Sequence, residues 1–365
     1  MAEPYQFIDI QAKGADIVTK AFDNQVAYCT ASGATVTARI CAALRDLLEG
    51  GAGGAVLARV RGWQGAPLGD ALPLRLAGGL HSLKLKGKEP ALAAIYEGRE
   101  GIDDAAIVAA ALHRHEAELL PWLDGPPQTN EAGRSANFIA AMLWLADQGL
   151  PSRFECLEIG SSAGINLMLD RYHYDLGGVQ VGPEPGAIRF KPEWQGDPPP
   201  DKHIEIVSTR GCDVAPVDLA EPEQATRLKA YIWPEHTVRF ERMEAAIAEA
   251  KKQAPNLVRM NAADFVEAEL AKPQDAGTTR MLMHSIVWQY VPEDQQARVT
   301  AAIEAAGARA TPERPLAWVA LEANRVLHIH EMVVRYWPGG EQGVVVTRAH
   351  PHGAWIAWGG SDRVI

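Results

Sequence analysis

Phe154-Glu155-Cys156-Leu157-Glu158-Ile159-Gly160-Ser161-Ser162-Ala163-Gly164-Ile165-Asn166-Leu167-Met168-Leu169 is the stretch on which the reading of this chain turns. An apolar run ends in an acid and a tight glycine turn, and a strongly apolar segment at helical spacing follows. A buried parallel strand feeds a helix in this order, and the junction is where open α/β sheets bind ligands.

Two chemistries fit the same letters. Read as acid-x-Gly-x-x-x-Gly, the segment is similar to the turn that holds S-adenosylmethionine in class I methyltransferases, a relative of the dinucleotide fingerprint of doubly wound folds. Gly160, Ser161, Ser162 and Gly164 then bring the backbone up to the cofactor, and Glu158 complements the methionine ammonium. Read as Gly-x-Ser-x-Gly, the segment is a nucleophile elbow with Ser162 at its tip. The elbow needs an acid and a histidine, which Glu322 followed by His350 or His352 supplies in the order of an α/β-hydrolase. Against the elbow, no His-Gly-Gly oxyanion loop stands upstream, and the long stretch before the turn reads as helical where a hydrolase should already have laid down strands.

With 365 residues, 47% of them hydrophobic, the chain has material for a sizeable core in two domains or one decorated domain. A formal charge of −11 argues against a dedicated nucleic-acid or anionic-membrane surface. No apolar run reaches membrane length and no leader pattern opens the chain, so a cytoplasmic protein with a small-molecule or protein substrate is expected. Cys29, Cys41, Cys156 and Cys212 are scattered without metal or disulfide spacing and read as buried thiols. His328 with His330, and His350 with His352, are spaced two apart, but no third ligand accompanies them and no metal site is assigned.

Apolar spacing predicts helices over Ala34 to Leu48, over Asp103 to Leu123 behind an Asp cap, and over Glu131 to Gln148. Residues 1–150 thus read as a helical amino-terminal domain acting as a lid, and residues 151–365 as an α/β domain. Within the second, 177–201 is a Gly- and Pro-rich insertion expected to form a hairpin or loop. Strands are expected at His203 to Ser208, Asn256 to Met260, Arg280 to Met283 and Leu316 to Leu321, alternating with helices. Three antiparallel strands then close the chain. The expected fold is a class I methyltransferase-like, Rossmann-like, mostly parallel sheet with antiparallel carboxy-terminal strands.

Several further segments carry a family resemblance: Gln128-Thr129-Asn130-Glu131-Ala132-Gly133-Arg134-Ser135; Ser162-Ala163-Gly164 with Asn166-Leu167 and Asp170-Arg171-Tyr172; Gly211-Cys212-Asp213 with Pro216-Val217-Asp218; Trp233-Pro234-Glu235; and His352-Gly353. On these the chain resembles the bacterial domain of unknown function 2332 family, whose proteins look like class I methyltransferases joined to a helical region. The resemblance implies a fold and no reaction.

Candidate site residues follow from the strand order. Asp213 and Asp264 fall after the presumed second and third strands, where methyltransferases place acids toward the ribose hydroxyls and the adenine amino group, although Asp213 comes later than the usual spacing. His284 and Tyr290 follow the fourth strand, where residues that hold or deprotonate the acceptor stand. Asn130, Glu131 and Arg134 crowd polar groups where a helical lid would meet the strand ends, as substrate contacts. The expected function is S-adenosylmethionine-dependent methyl transfer. The alternatives are a Ser162 esterase and a catalytically inactive S-adenosylmethionine-binding regulator.

Overall fold

The computed structural model describes residues 9–327 and 329–359, and its contacts divide the chain into two compact units. One holds the residues up to Thr129 with Glu221–Glu241, the other Asn130–Ala220 with the residues from Arg242 on. The boundary read from sequence at residue 150 therefore differs in two respects. Helix Ser135–Asp147 belongs with the sheet, because it is buried along nearly its whole length and packs on the sheet strands. Segment 221–241 returns to the helical unit.

The helical unit is built on helices Ala15–Ala31, Thr35–Glu49, Leu72–Leu85 and Asp104–Arg114, with Pro222–Ala230 added late in the chain. Their apolar faces meet in a core around Phe22, Leu44, Leu76, Leu80 and Leu112. Asp103 caps its helix by accepting from Ala106 N–H. The single helix expected there breaks at His115, and a short turn Glu116–Leu119 and a 3-10 turn Leu120–Leu123 follow. Pro121 lacks the N–H that a continuing helix requires. Glu235, from the Trp-Pro-Glu segment, accepts from Thr37 N and Oγ1, both at 2.9 Å, and so caps a helix 198 residues before it.

The second unit carries strands β1 (Arg153–Ile159), β2 (His173–Leu176), β3 (Val179–Val181), β4 (Arg189–Phe190), β5 (Glu193–Gln195), β6 (Glu205–Asp213), β7 (Leu257–Arg259), β8 (Thr279–Ser285), β9 (Leu316–Asn324), β10 (Ile329–Trp337), β11 (Gly340–Ala349) and β12 (Trp355–Trp358). Nine of them form one sheet in the order β5-β12-β11-β10-β9-β8-β1-β6-β7. Strands β7, β6, β1, β8 and β9 are parallel neighbours. From β9 to β12 the sheet is an antiparallel meander. The result is a mixed α/β unit with a large, mostly parallel central sheet of Rossmann-like order. In order of appearance along the chain, the five parallel strands run 3-2-1-4-5, which puts the topological switch point between β1 and β8.

Strand alternation assigns the two faces of β1. Leu157 and Ile159 pack with Phe265, Val266, Val299 and Ile303 from helices Ala262–Leu270 and Glu293–Gly307. Glu158 points to the opposite face. The helix expected after the glycine turn is instead a 3-10 segment, Ile165–Arg171, kinked at Met168. Every side chain from Ile165 to Leu169 is buried, and Tyr172 Oη donates to Ile165 O at 2.9 Å, which folds the segment back on itself. The crossover to β6 then runs through the expected insertion, from which β3 and β4 pair with β2 just before it in a small sheet and β5 joins the far edge of the large one.

Candidate functional site at the carboxyl edge of the parallel strands

The glycine turn is welded to the neighbouring strand. Ser161 N donates to Cys212 O and Ser161 Oγ to the Glu158 main-chain carbonyl. Ser162 N donates to Asp213 Oδ2 at 2.8 Å, and Asp213 Oδ1 accepts from Ala215 N, so the acid after β6 shapes the turn directly. Ser162 itself has φ 53°, a left-handed conformation that non-glycine residues rarely hold. At Gly160, φ 66°, an added Cβ would lie 2.2 Å from Val287 Cγ2. Glycine is thus required at Gly160 by the loop after β8 as well as by the turn. A branched side chain there would collide with protein before it reached any ligand. Gly164, φ 72°, starts the 3-10 segment.

Glu158 is 2% exposed, and Asn166 Nδ2 donates to its Oε1 at 3.0 Å. Its other oxygen, Oε2, is buried with no hydrogen-bond partner, and the same is true of Asn166 Oδ1 and Ser162 Oγ. Burial pushes the Glu158 carboxyl up to about 7, against the opposing pulls of the Asn166 amide and the Arg134 guanidinium.

Asn130, Glu131 and Arg134 all belong to the unit that carries the sheet, and all three are buried. Asn130 Oδ1 accepts from Ile165 N and so holds the start of the 3-10 segment. Glu131 accepts from Gly133 N, and a carboxylate oxygen lies 3.9 Å from His352 Nδ1. Arg134 donates from Nε to Pro351 O at 2.9 Å and from Nη1 to Ser285 O at 3.3 Å, which joins the β11–β12 loop to the end of β8. Gly133 and Gly353 touch backbone to backbone. Two of the sequence segments that carry the family resemblance therefore meet in space.

The remaining candidates sit elsewhere or are otherwise engaged. His284 Nδ1 bonds Glu322 Oε1 at 2.7 Å, and its Nε2 accepts from Trp318 Nε1 at 3.0 Å. An indole N–H is a donor only, so His284 is neutral with its proton on Nδ1 and has no lone pair left for a substrate. The general-base assignment gives way to a bracing one. Tyr290 lies in a 3-10 turn after β8 and is 71% exposed. Asp264 is committed to Arg298 at 2.7 Å on an exposed helix face, and Asn261 caps that helix. The exposed ion pair with Arg298 lowers the Asp264 pKa. Asn166, two residues past the glycine turn, joins the candidates through its bond to Glu158, a contact that the motif spacing does not announce. Sequence order pairs Glu322 with His350 or His352, whereas in the fold its carboxylate bonds His284.

His328 lies outside the described residues. Among the described residues, no group of three His, Cys, Asp or Glu side chains is arranged to hold a metal ion, and no helix is long and apolar enough to cross a membrane.

Glycine turn, buried acid and switch point together define a Rossmann-like α/β unit with a candidate ligand site at its carboxyl edge. The chain belongs to the family described as uncharacterized protein conserved in bacteria, DUF2332, which matches residues 19–358. Among curated proteins and among solved structures, none matches the chain.

Proposed function

We propose that the chain binds S-adenosylmethionine at the carboxyl edge between β1 and β8 and transfers its methyl group to a small-molecule acceptor. The observation that carries this reading is the trio of buried acceptors without donors, Glu158 Oε2, Ser162 Oγ and Asn166 Oδ1. Orphaned buried polar groups cost about 1–3 kcal/mol each, so three of them within nine residues of one turn call for hydrogen-bond partners from outside. A primary ammonium offers three N–H donors and a positive charge, which suits three acceptors of which one is a carboxyl that the incoming charge would ionise.

The residues fit the cofactor in part. Glu158, Ser162 and Asn166 would take the amino-acid ammonium. Asp213, with a spare lone pair on each oxygen, would take the ribose hydroxyls. Asp264, turned to Arg298, does not fit the adenine role. S-adenosylmethionine supplies an activated methyl group when bound. The protein's part is then to position the acceptor and exclude water, and it needs no side-chain nucleophile.

The esterase reading draws on the left-handed Ser162 and its unpartnered hydroxyl. Against it, Glu322 binds His284, whose second nitrogen faces Trp318. The turn also follows the first strand of the sheet.

In thermal denaturation, S-adenosylhomocysteine at a hundredfold excess over its dissociation constant should stabilise the fold by about 2.7 kcal/mol. No shift at millimolar ligand would remove the proposal. A fluorophosphonate probe should leave Ser162 unlabelled, and stoichiometric labelling there would reverse the ranking in favour of the esterase.

A further inference from the structure

We propose that Glu322 is a positioning residue for this site, fixing the segment Ile286–Tyr290 in the one conformation that seats Val287 on the glycine turn. The inference rests on the carboxyl edge being the ligand site, as argued above, and starts from a backbone outlier. Ile286 has φ 53°. A β-branched residue is a genuine exception in the left-handed region, and such strain persists only where the surroundings over-determine it.

The surroundings here do so. Ile286 N donates to Leu321 O, and Arg134 donates to the carbonyl of Ser285, one residue earlier. Just past the outlier, Val287 N and Trp288 N both donate to Glu322 Oε1, at 3.1 and 3.2 Å. The same oxygen receives His284 Nδ1 at 2.7 Å. At the far end, Gln296 Nε2 holds Trp288 O and Val291 O. Burial alone would raise the Glu322 pKa, but the hydrogen bonds from His284 and the two amides outweigh it and lower it.

Two features set this apart from a loop that is merely tied down. Val287, the residue after the outlier, is the one that fills the space beside Gly160. The anchor therefore reaches the glycine turn in a single step. All three donors also converge on Oε1, while Oε2 accepts no bond among the described residues and the side chain stays 22% exposed. The strained loop and the open oxygen both lie on the edge where Glu158 and Arg134 stand.

Two variants and a rescue test the role. Glu322→Ala removes all three bonds, and amide hydrogen exchange at Val287 and Trp288 should accelerate at least tenfold while the melting temperature of the rest of the unit holds. Affinity for S-adenosylhomocysteine, measured by calorimetry, should fall at least tenfold. Glu322→Gln keeps an oxygen in the Oε1 place and should restore both values to within about threefold. Adding Ile286→Gly to Glu322→Ala should recover affinity in part, since glycine holds a positive φ without the anchor. Unchanged exchange at Val287 and Trp288 in Glu322→Ala would overturn the proposal, as would faster exchange with ligand affinity intact. If the wild type itself fails to bind S-adenosylhomocysteine, the cofactor reading falls. The exchange arm and its rescue by glutamine still decide whether Glu322 fixes the loop.

Discussion

Glu158→Gln is expected to stabilise the ligand-free protein above neutral pH by up to an amount on the order of 3 kcal/mol, and to change little near pH 4. The native carboxyl, raised by burial to about 7, holds a proton that the unfolded chain releases at the ordinary glutamate value. Its contribution is therefore full below the unfolded pKa and is lost as pH rises through about 7. Glutamine keeps an oxygen for Asn166 Nδ2 and has nothing to ionise. His81, whose pKa burial depresses to about 4, works in the opposite direction over much of the same window. The quantity to read is thus the difference between wild type and variant in denaturant melts from pH 4 to 8. A difference that stays flat across that range would show that Glu158 titrates as an ordinary surface acid, and the buried-acceptor account would fail with it.

Gly353→Ala should cost the sheet-bearing unit about 3 kcal/mol or more, a loss in the range of the most damaging single substitutions. Gly353 has φ 69°, and an added Cβ would lie 2.5 Å from the carbonyl carbon and oxygen of Gly133, both backbone atoms. Neither can swing aside as a flexible side chain would. Separating the two segments would also pull Pro351 O away from Arg134. At about 2–4 °C of melting temperature per kcal/mol for a unit of this size, the fall should exceed about 6 °C. A melting temperature within a degree of wild type would mean that the contact yields without consequence.

Much of the sheet was legible because its signals are local. The run from Phe154 to Gly164 announced a parallel strand and its turn, and the strands from Leu316 onward alternate clearly enough to give the antiparallel meander. The segment after Gly164 misled because Ile165, Leu167, Met168 and Leu169 are apolar at helical spacing yet are buried all round in a 3-10 turn. Periodicity does not separate a buried short turn from a buried helix. The placing of helix Ser135–Asp147 with the sheet, and of 221–241 with the helical unit, depends on contacts distant in sequence. The site shows the same division. Glu158 and Asp213 could be named from their places after strands, whereas the His284–Glu322 pair spans 38 residues and the Glu131–His352 approach more than two hundred.

The central claim is that a ligand ammonium completes Glu158, Ser162 and Asn166, and its most direct test is calorimetric titration with S-adenosylhomocysteine beside the analogue in which the amino group is replaced by hydrogen. The account predicts that the parent compound binds and that the deaminated analogue binds at least a hundredfold more weakly, because the buried acceptors are left unpaired. Equal affinity for the two compounds, or no heat from either at millimolar concentration, would contradict it.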